Sequence, residues 1–146
     1  MSIVEIQVVA AQSPAELAAA YSIRRRVFIV EQHVPEEIEL DADDRRAFHA
    51  LAMRGGQAVG CGRYVEHEAG EIKIGRMAVL RELRGTGVGR AVLEFLIRTA
   101  RERGYHRAIL HAQITAEGFY LRQGFTPVGE IFDEAGIPHR AMTRDL

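Results

Sequence analysis

The chain has 146 residues, of which 47% are hydrophobic and 27% are charged, and its net charge is −1. This length predicts one domain over residues 1–146, with a core large enough to need no disulfide or structural metal. The balanced charge argues against a nucleic-acid partner, and the single cysteine, Cys61, excludes an internal disulfide and any site built from several thiolates. Without a basic, apolar leader or an apolar run of membrane length, the chain is expected to be cytoplasmic and to have no membrane partner.

The N-terminal part predicts a strand followed by a long helix. Residues 3–9 alternate weakly between apolar and polar side chains, as in a β-strand. Ser13 followed by proline is a typical helix start, and apolar spacing extends this helix over 14–30. Arg24 and Glu31 fall on its apolar face, so each needs a partner, which is either the other charge or a bound substrate.

Three strands are predicted in the middle of the chain, at residues 48–53, 57–65 and 72–80. Gly55-Gly56 predicts a hairpin between the first two. The third changes phase, because its apolar residues occupy even positions up to Ile74 and odd positions from Met77. A bulge at Gly75-Arg76 would insert one residue and leave backbone groups unpaired beside the next strand.

A glycine-rich run, Arg84-Gly85-Thr86-Gly87-Val88-Gly89, leads from the bulged strand into a helix predicted over 88–103. Glycine permits a tight turn and close approach of a ligand, while a helix start offers unpaired N–H groups, so the run predicts a phosphate-binding loop. The remaining elements are a strand at 108–110 covered on both faces, a helix at 115–123, and a hairpin of strands at 125–132 and 138–143. The order β-α-β-β-β-α-β-α-β-β predicts an α+β fold, a mixed sheet flanked by helices.

Three segments together resemble GNAT-superfamily N-acetyltransferases: Met77-Ala78-Val79, the glycine-rich run, and Phe119-Tyr120-Leu121-Arg122-Gln123-Gly124-Phe125. Residues 24–32, 39–41 and 136–139 resemble the small bacterial ElaA and YjcF type within that superfamily. The resemblance implies acetyl-CoA as donor, a primary amine of a small molecule or peptide as acceptor, and no metal. It also implies that backbone amides of the glycine-rich run hold the pyrophosphate of CoA, and that residues 77–79 pair with its pantetheine arm. The oligomeric state stays open, with a homodimer among the options.

Acyl transfer from a thioester to an amine needs a stabilised oxyanion and a proton for the leaving thiolate. The amide of Val79, or of a neighbour on the bulged strand, is a candidate for the first task. Tyr120 is the candidate for the second, because a phenol with a pKa of about 10 stays protonated near neutrality. The resemblance assigns Tyr120 the same role, and the alternative is a core aromatic residue.

A base is also expected, because an amine with a pKa of about 10.4 is neutral in only about one molecule in a thousand at pH 7. The candidates are Glu31, Asp41, His49 and His111, with Glu31 and His111 preferred, and each has a structural alternative. The expected acceptor-binding residues are Arg24, Phe28, Glu31, Asp41 and His139. Residues 31–44 hold seven acids and no Lys or Arg, which predicts either a solvated surface or a cleft lip that attracts a cationic acceptor.

Three other functions compete with this interpretation. A catalytically idle CoA-binding module would keep the same glycine-rich run. An acyl-homoserine-lactone synthase is a second option, because Arg24, Phe28, Glu39, Asp41 and Asp44 also resemble that family. A dinucleotide-binding Rossmann protein fits poorly, because the run follows four strands and lacks the G-x-G-x-x-G spacing.

Overall fold

The computed structural model describes residues 5–146, which form a seven-stranded mixed sheet with helices on both faces. The strands are β1 (Ile6–Ala10), β2 (Phe48–Arg54), β3 (Gln57–Glu66), β4 (Glu71–Val79), β5 (Arg107–Gln113), β6 (Thr126–Glu134) and β7 (Ile137–Asp145). The helices are α1 (Pro14–Arg24), α2 (Glu36–Glu39), α3 (Val88–Glu102) and α4 (Glu117–Arg122). Strand order is β1-β2-β3-β4-β5-β7-β6, and neighbours are antiparallel except for the parallel pair β4–β5. The predicted α+β architecture is confirmed.

The two helical layers bury separate apolar clusters against this sheet. Helix α3 packs directly on β3, where a Cβ at Gly60 would lie 2.7 Å from a Val88 methyl and one at Gly62 would lie 3.0 Å from a Val92 methyl. The first distance is shorter than real Cβ contacts and the second is tighter than most of them, so glycine is what allows α3 to approach. Helix α1 covers the opposite face through Ala20 and Ile23. No helix within residues 5–146 is long and apolar enough to span a membrane.

The predicted bulge in β4 is confirmed by its register with β3. Arg63 pairs with Gly75 and Cys61 pairs with Ala78, so two residues of β4 lie opposite one residue of β3. Arg76 occupies this bulge with a φ of +53°, in the left-handed region. The extra residue shifts the alternation of side chains between the two faces by one position. Met77 and Val79 therefore face the same side of the sheet as Ile72 and Ile74, in the cluster under α3.

Beyond the bulge, β4 and β5 separate. They pair only between Glu71–Ile74 and residues 107–110. From His111 onward β5 continues to pair with β7 on its other side, while β4 runs on to Val79 next to β3. The result is a wedge-shaped opening between two parallel strands at their carboxyl ends, which we call the β4–β5 wedge.

Several local predictions need correction. The helix predicted over 14–30 is α-helical only to Arg24 and continues as a π-helix over Arg25–Glu31. The strand predicted at 108–110 spans Arg107–Gln113 and is fully buried on one face only. Helix α2 and a 3₁₀ turn at Ala42–Arg45 occupy a stretch with no predicted element. The first strand was predicted from residue 3, and residues 1–4 lie outside the described part of the chain.

Candidate active site

The glycine-rich run forms the turn between the end of β4 and helix α3. Gly85 and Gly87 have φ values of +79° and +94°, and Gly87 is the N-cap residue of α3. A Cβ on either residue would meet nothing within 4 Å, so the backbone conformation, and not crowding, calls for glycine. The start of α3 has no side-chain cap, and its first N–H groups therefore remain available to an anion.

The end of β4 presents backbone groups to the β4–β5 wedge. The Leu80 amide donates to the Val59 carbonyl at 3.0 Å, which makes Gly60–Val79 the non-hydrogen-bonded pair of the β3–β4 ladder. The N–H and C=O of Val79 consequently point away from β3, toward the side that β5 has left. The Val79 carbonyl accepts from Arg84 Nε, so the Val79 N–H is the group that β4 directs into the wedge, beside a helix start whose first N–H groups have no side-chain cap.

Tyr120 lies on α4, in the cluster under α3. Its ring packs edge-on against Phe119 and Phe125, with centroids 5.0 and 5.8 Å away. The Tyr120 hydroxyl makes no hydrogen bond with any of residues 5–146, and burial raises the pKa of Tyr120. The Tyr120 phenol is therefore neutral, and its proton is not donated to any acceptor among residues 5–146.

Glu31 and Arg84 connect the π-helix to the glycine-rich run. The two Arg84 Nη atoms donate to the two Glu31 oxygens at 2.5 and 2.7 Å, and Arg84 Nε donates to the Val79 carbonyl at 3.1 Å. The hydrogen bond from Arg84 lowers the pKa of Glu31. Glu31 and Arg24, the two inward charges of the predicted helix, therefore do not pair with each other.

Arg24 instead belongs to a buried ion-pair network. Its Nε donates to Glu39 at 2.6 Å and its Nη1 donates to Asp44 at 2.7 Å, and the side chains of Arg24 and Glu39 are each only 2% exposed. Arg63 joins through Asp44 at 2.6 Å and Asp41 at 2.7 Å. Burial alone would raise the pKa of Asp44, but the hydrogen bonds and charges of Arg24 and Arg63 outweigh it and lower the pKa to about 2. The hydrogen bond from Arg63 likewise lowers the pKa of Asp41.

Arg76 ties this network to the bulge of β4. Its Nε donates to the Glu39 carbonyl at 3.0 Å, and its Nη2 donates to the Ile38 carbonyl at 3.2 Å and to Asp41 at 3.1 Å. The segment from α2 to Asp41 is thereby held over the bulge, on the face of the sheet opposite α3.

The acidic stretch over 31–44 does not form a free anionic lip. Six of its seven acids have an arginine partner: Glu31, Glu36, Glu39, Asp41, Asp43 and Asp44. The predicted solvated surface holds for exposed acids such as Glu36 and Glu37, whereas Glu39 is buried and Asp44 is mostly buried, and both lie in ion pairs. Most of these carboxylates are counter-ions of arginines that lie elsewhere in the sequence.

His111 lies at the narrow end of the β4–β5 wedge, directly after the last β5 residue that pairs with β4. Its Nδ1 lies 2.9 Å from Glu134 Oε1 on β6, and its ring contacts Phe132 edge-on at 4.9 Å. His139 on β7 is buried, and its ring stacks on Phe132 with centroids 6.1 Å apart. No group of three His, Cys, Asp or Glu side chains within residues 5–146 is arranged to hold a metal ion.

The other predicted site residues lie in different surroundings. Phe28 is half-buried against the cluster under α1, and His49 is buried with Nε2 2.9 Å from the Asp44 carbonyl oxygen. Sequence reasoning missed Arg63, Arg76 and Glu134. The available signal for the two arginines was a charge in the interior of an apolar strand, next to a predicted bulge. For Glu134, no local signal indicated that the hairpin turn would bring it to β5.

Comparison with known proteins identifies the fold and the family. A model of the acetyltransferase (GNAT) domain matches residues 8–146. YjcF of Bacillus subtilis (strain 168), an uncharacterized N-acetyltransferase, is 35% identical over 141 residues, which are 96% of this chain and 100% of YjcF. Protein ElaA of Escherichia coli (strain K12) is 32% identical over 139 residues, 92% of this chain and 90% of ElaA, and its crystal structure superposes with a TM-score of 0.79.

The crystal structure of an acyl-CoA N-acyltransferase from Pseudomonas aeruginosa is 28% identical and superposes with a TM-score of 0.78, covering 97% of this chain and 99% of that one. Members of the family transfer an acyl group from acyl-CoA to an amine. The helix-start loop, the β4–β5 wedge and these matches lead to one conclusion. The chain belongs to the GNAT acetyltransferase family, in the small bacterial branch of YjcF and ElaA.

Proposed function

We propose that this acyltransferase uses acetyl-CoA and transfers the acetyl group to a primary amine of a small molecule or peptide, by direct attack while both substrates are bound. The observation that carries the proposal is the β4–β5 wedge with an anion-binding helix start at the same edge. One end of the site suits a pyrophosphate, and the other exposes a strand edge that suits an amide-bearing arm.

The donor contacts follow from this geometry. Backbone amides of residues 84–89 would bind the pyrophosphate, and the backbone of residues 77–79 would pair with the pantetheine amides. The outward N–H of Val79 is the candidate donor to the oxyanion that forms on the acetyl carbonyl. Because this N–H is fixed in a strand, it needs no reorganisation as charge develops.

Tyr120 is proposed as the acid that protonates the departing thiolate of CoA. Its hydroxyl has no competing hydrogen bond among the described residues, and burial keeps it neutral. A thiolate leaving into the same buried surroundings would also be disfavoured as an anion, which favours proton transfer from Tyr120.

His111 is proposed as the base that takes a proton from the acceptor amine. Glu31 and Asp41 are held by arginines that lower the pKa of each carboxyl, and His49 is buried with its Nε2 already bonded. His111 keeps Nε2 without a hydrogen-bond partner among residues 5–146, and its side chain is 26% exposed at the narrow end of the wedge. Of the acceptor contacts predicted from sequence, His139 borders this region through Phe132. Arg24, Glu31 and Asp41 are proposed to shape the acceptor side through their ion pairs, with Phe28 packed behind them.

The test is an amine panel incubated with acetyl-CoA, in which free thiol and acetylated product are both measured by mass spectrometry. We expect one class of primary amine to be acetylated with equal release of CoA. Tyr120→Phe should lower kcat about 10²- to 10⁴-fold, as expected for loss of a general acid, without changing the unfolding midpoint. Tyr105→Phe is the matched control, because the Tyr105 hydroxyl bonds Glu66 at the surface. Binding of acetyl-CoA without transfer to any amine would contradict the proposal, and an unchanged kcat in Tyr120→Phe would remove the acid role.

A further inference from the structure

We propose that Glu134 is a positioning residue, which holds the His111 imidazole in the tautomer that leaves Nε2 free to accept a proton from the acceptor. The catalytic part of this inference rests on the proposed function. Its structural part, the state of the His111 ring, does not. Glu134 itself need not touch either substrate.

The hydrogen bond defines the tautomer. Glu134 Oε1 lies 2.9 Å from His111 Nδ1. An ionised carboxylate can only accept a hydrogen bond, so Nδ1 carries the hydrogen and Nε2 carries the lone pair of the neutral ring. A neighbouring negative charge also stabilises the imidazolium that forms when Nε2 takes a proton.

The ring is fixed by the fold as well as by this bond. Phe132 and Glu134 are two residues apart on β6 and therefore share a face of the sheet. Phe132 meets His111 edge-on at an interplanar angle of 79°, while Glu134 holds one ring nitrogen. The turn Ala135-Gly136, with φ values of +53° and +77°, returns the chain into β7 and places Glu134 at the end of β6.

The charged groups around His111 come from three strands. Glu134 lies on β6, His139 on β7 and Lys73 on β4. The hydrogen bond from His111 is the main cause of the lowered pKa of Glu134, and the charges of His139 and Lys73 act in the same direction. His139 Nε2 is 3.7 Å from the second Glu134 oxygen, and its Nδ1 donates to the Ile137 carbonyl at 2.7 Å. Of the two histidines near this carboxylate, His111 is the one that forms a hydrogen bond with it.

The first test needs no substrate. Long-range ¹H–¹⁵N spectra of the full chain should show His111 as the Nδ1–H tautomer, and Glu134→Gln should increase the share of the Nε2–H tautomer, because a side-chain amide can donate to Nδ1 as well as accept from it. Glu130→Gln is the matched control, since Glu130 is exposed on the same strand. An Nε2–H tautomer of His111 in the wild type, or an unchanged tautomer in Glu134→Gln, would overturn the proposal.

The second test separates base assistance from general damage. With an alkylamine acceptor, Glu134→Gln should lower kcat/KM about tenfold near neutral pH and move the acid limb of the pH profile to lower pH, because the variant lacks the negative charge that lies 2.9 Å from the His111 ring. With a nucleophile that is already neutral, such as hydroxylamine, the loss should be under about twofold. Equal losses with both nucleophiles, or an unmoved acid limb, would overturn the positioning role. If the wild-type chain acetylates no amine, the proposed function fails, and the spectra still decide whether Glu134 controls the His111 ring.

Discussion

The proposed donor and acceptor sides of the site differ in the groups that form them. The donor side consists of backbone: the end of β4, the glycine-rich turn and the first N–H groups of α3. The acceptor side consists of side chains that meet from distant segments, in the network of Arg24, Glu39, Asp44 and Arg63 with its extension through Arg76.

This difference indicates which amino-acid substitutions each side tolerates without loss of stability. A backbone site depends on a few φ and ψ values, so it changes only where a residue cannot adopt the required conformation. A buried ion-pair network fails as a unit, because removal of one partner leaves another charge buried and uncompensated. We therefore expect single substitutions on the acceptor side to cost more stability than single substitutions in the glycine-rich run.

The largest effect is expected from Arg24→Met. The substitution leaves Glu39 and Asp44 without their main partner inside the protein, and loss of one member of a buried pair costs about 3–5 kcal/mol. The loss in the free energy of unfolding is measured by urea denaturation of the wild type and the variant. Arg25→Met is the matched control, because Arg25 forms an exposed pair with Glu36, and such pairs contribute under about 1 kcal/mol. Equal losses of stability in the two variants would show that the buried network contributes no more than an exposed ion pair.

A smaller loss of folding stability is expected when the pH is lowered. The pKa of Asp44 lies at about 2 in the folded chain, below the ordinary value of 3.8, so its contribution is fully present above about pH 4. It is lost as the pH falls toward 2, and the shift corresponds to about 2 kcal/mol. Unfolding free energies measured between pH 2 and 5 should therefore fall less steeply in Asp44→Asn than in the wild type. Asp43→Asn, in an exposed pair with Arg46, should keep the wild-type slope.

The smallest of the three is expected on the donor side, from Gly87→Ala. Nothing would clash with the new Cβ, so the cost is that of a left-handed conformation, about 1–2 kcal/mol. Gly89→Ala is the control and should increase the free energy of unfolding. Gly89 lies in the first turn of α3, where alanine is favoured over glycine, and its Cβ would make an ordinary 3.6 Å contact with Phe119. Unfolding of both variants without CoA measures this difference. A loss in Gly87→Ala as large as that in Arg24→Met would contradict the contrast between the two sides.

The donor side could be predicted from the sequence because its signals are local. The phase change between Ile74 and Met77 indicated the bulge, and the spacing of glycines before an amphipathic segment indicated a helix start that binds anions. Each signal lies within a few residues of the feature that it predicts.

The acceptor side could not be predicted in the same way. The partners of Arg24 lie 15 and 20 residues away, and Arg84 lies 53 residues from Glu31. The change from α- to π-helix after Arg24 was not indicated either, because the apolar spacing continues through it. Pairing of charges at these separations depends on which strands become neighbours.

By itself, the sequence determined the order of the seven strands and of helices α1, α3 and α4, the bulge, and the glycine turn before α3, because hydrogen-bonding patterns and backbone conformations follow from neighbouring residues. The tertiary structure alone decided which arginine neutralises each of the six paired acids over 31–44, and which carboxylate meets His111. The physical reason is that charge pairing is a short-range interaction in space between residues that are far apart along the chain, so only the folded sheet could bring Glu134 to His111.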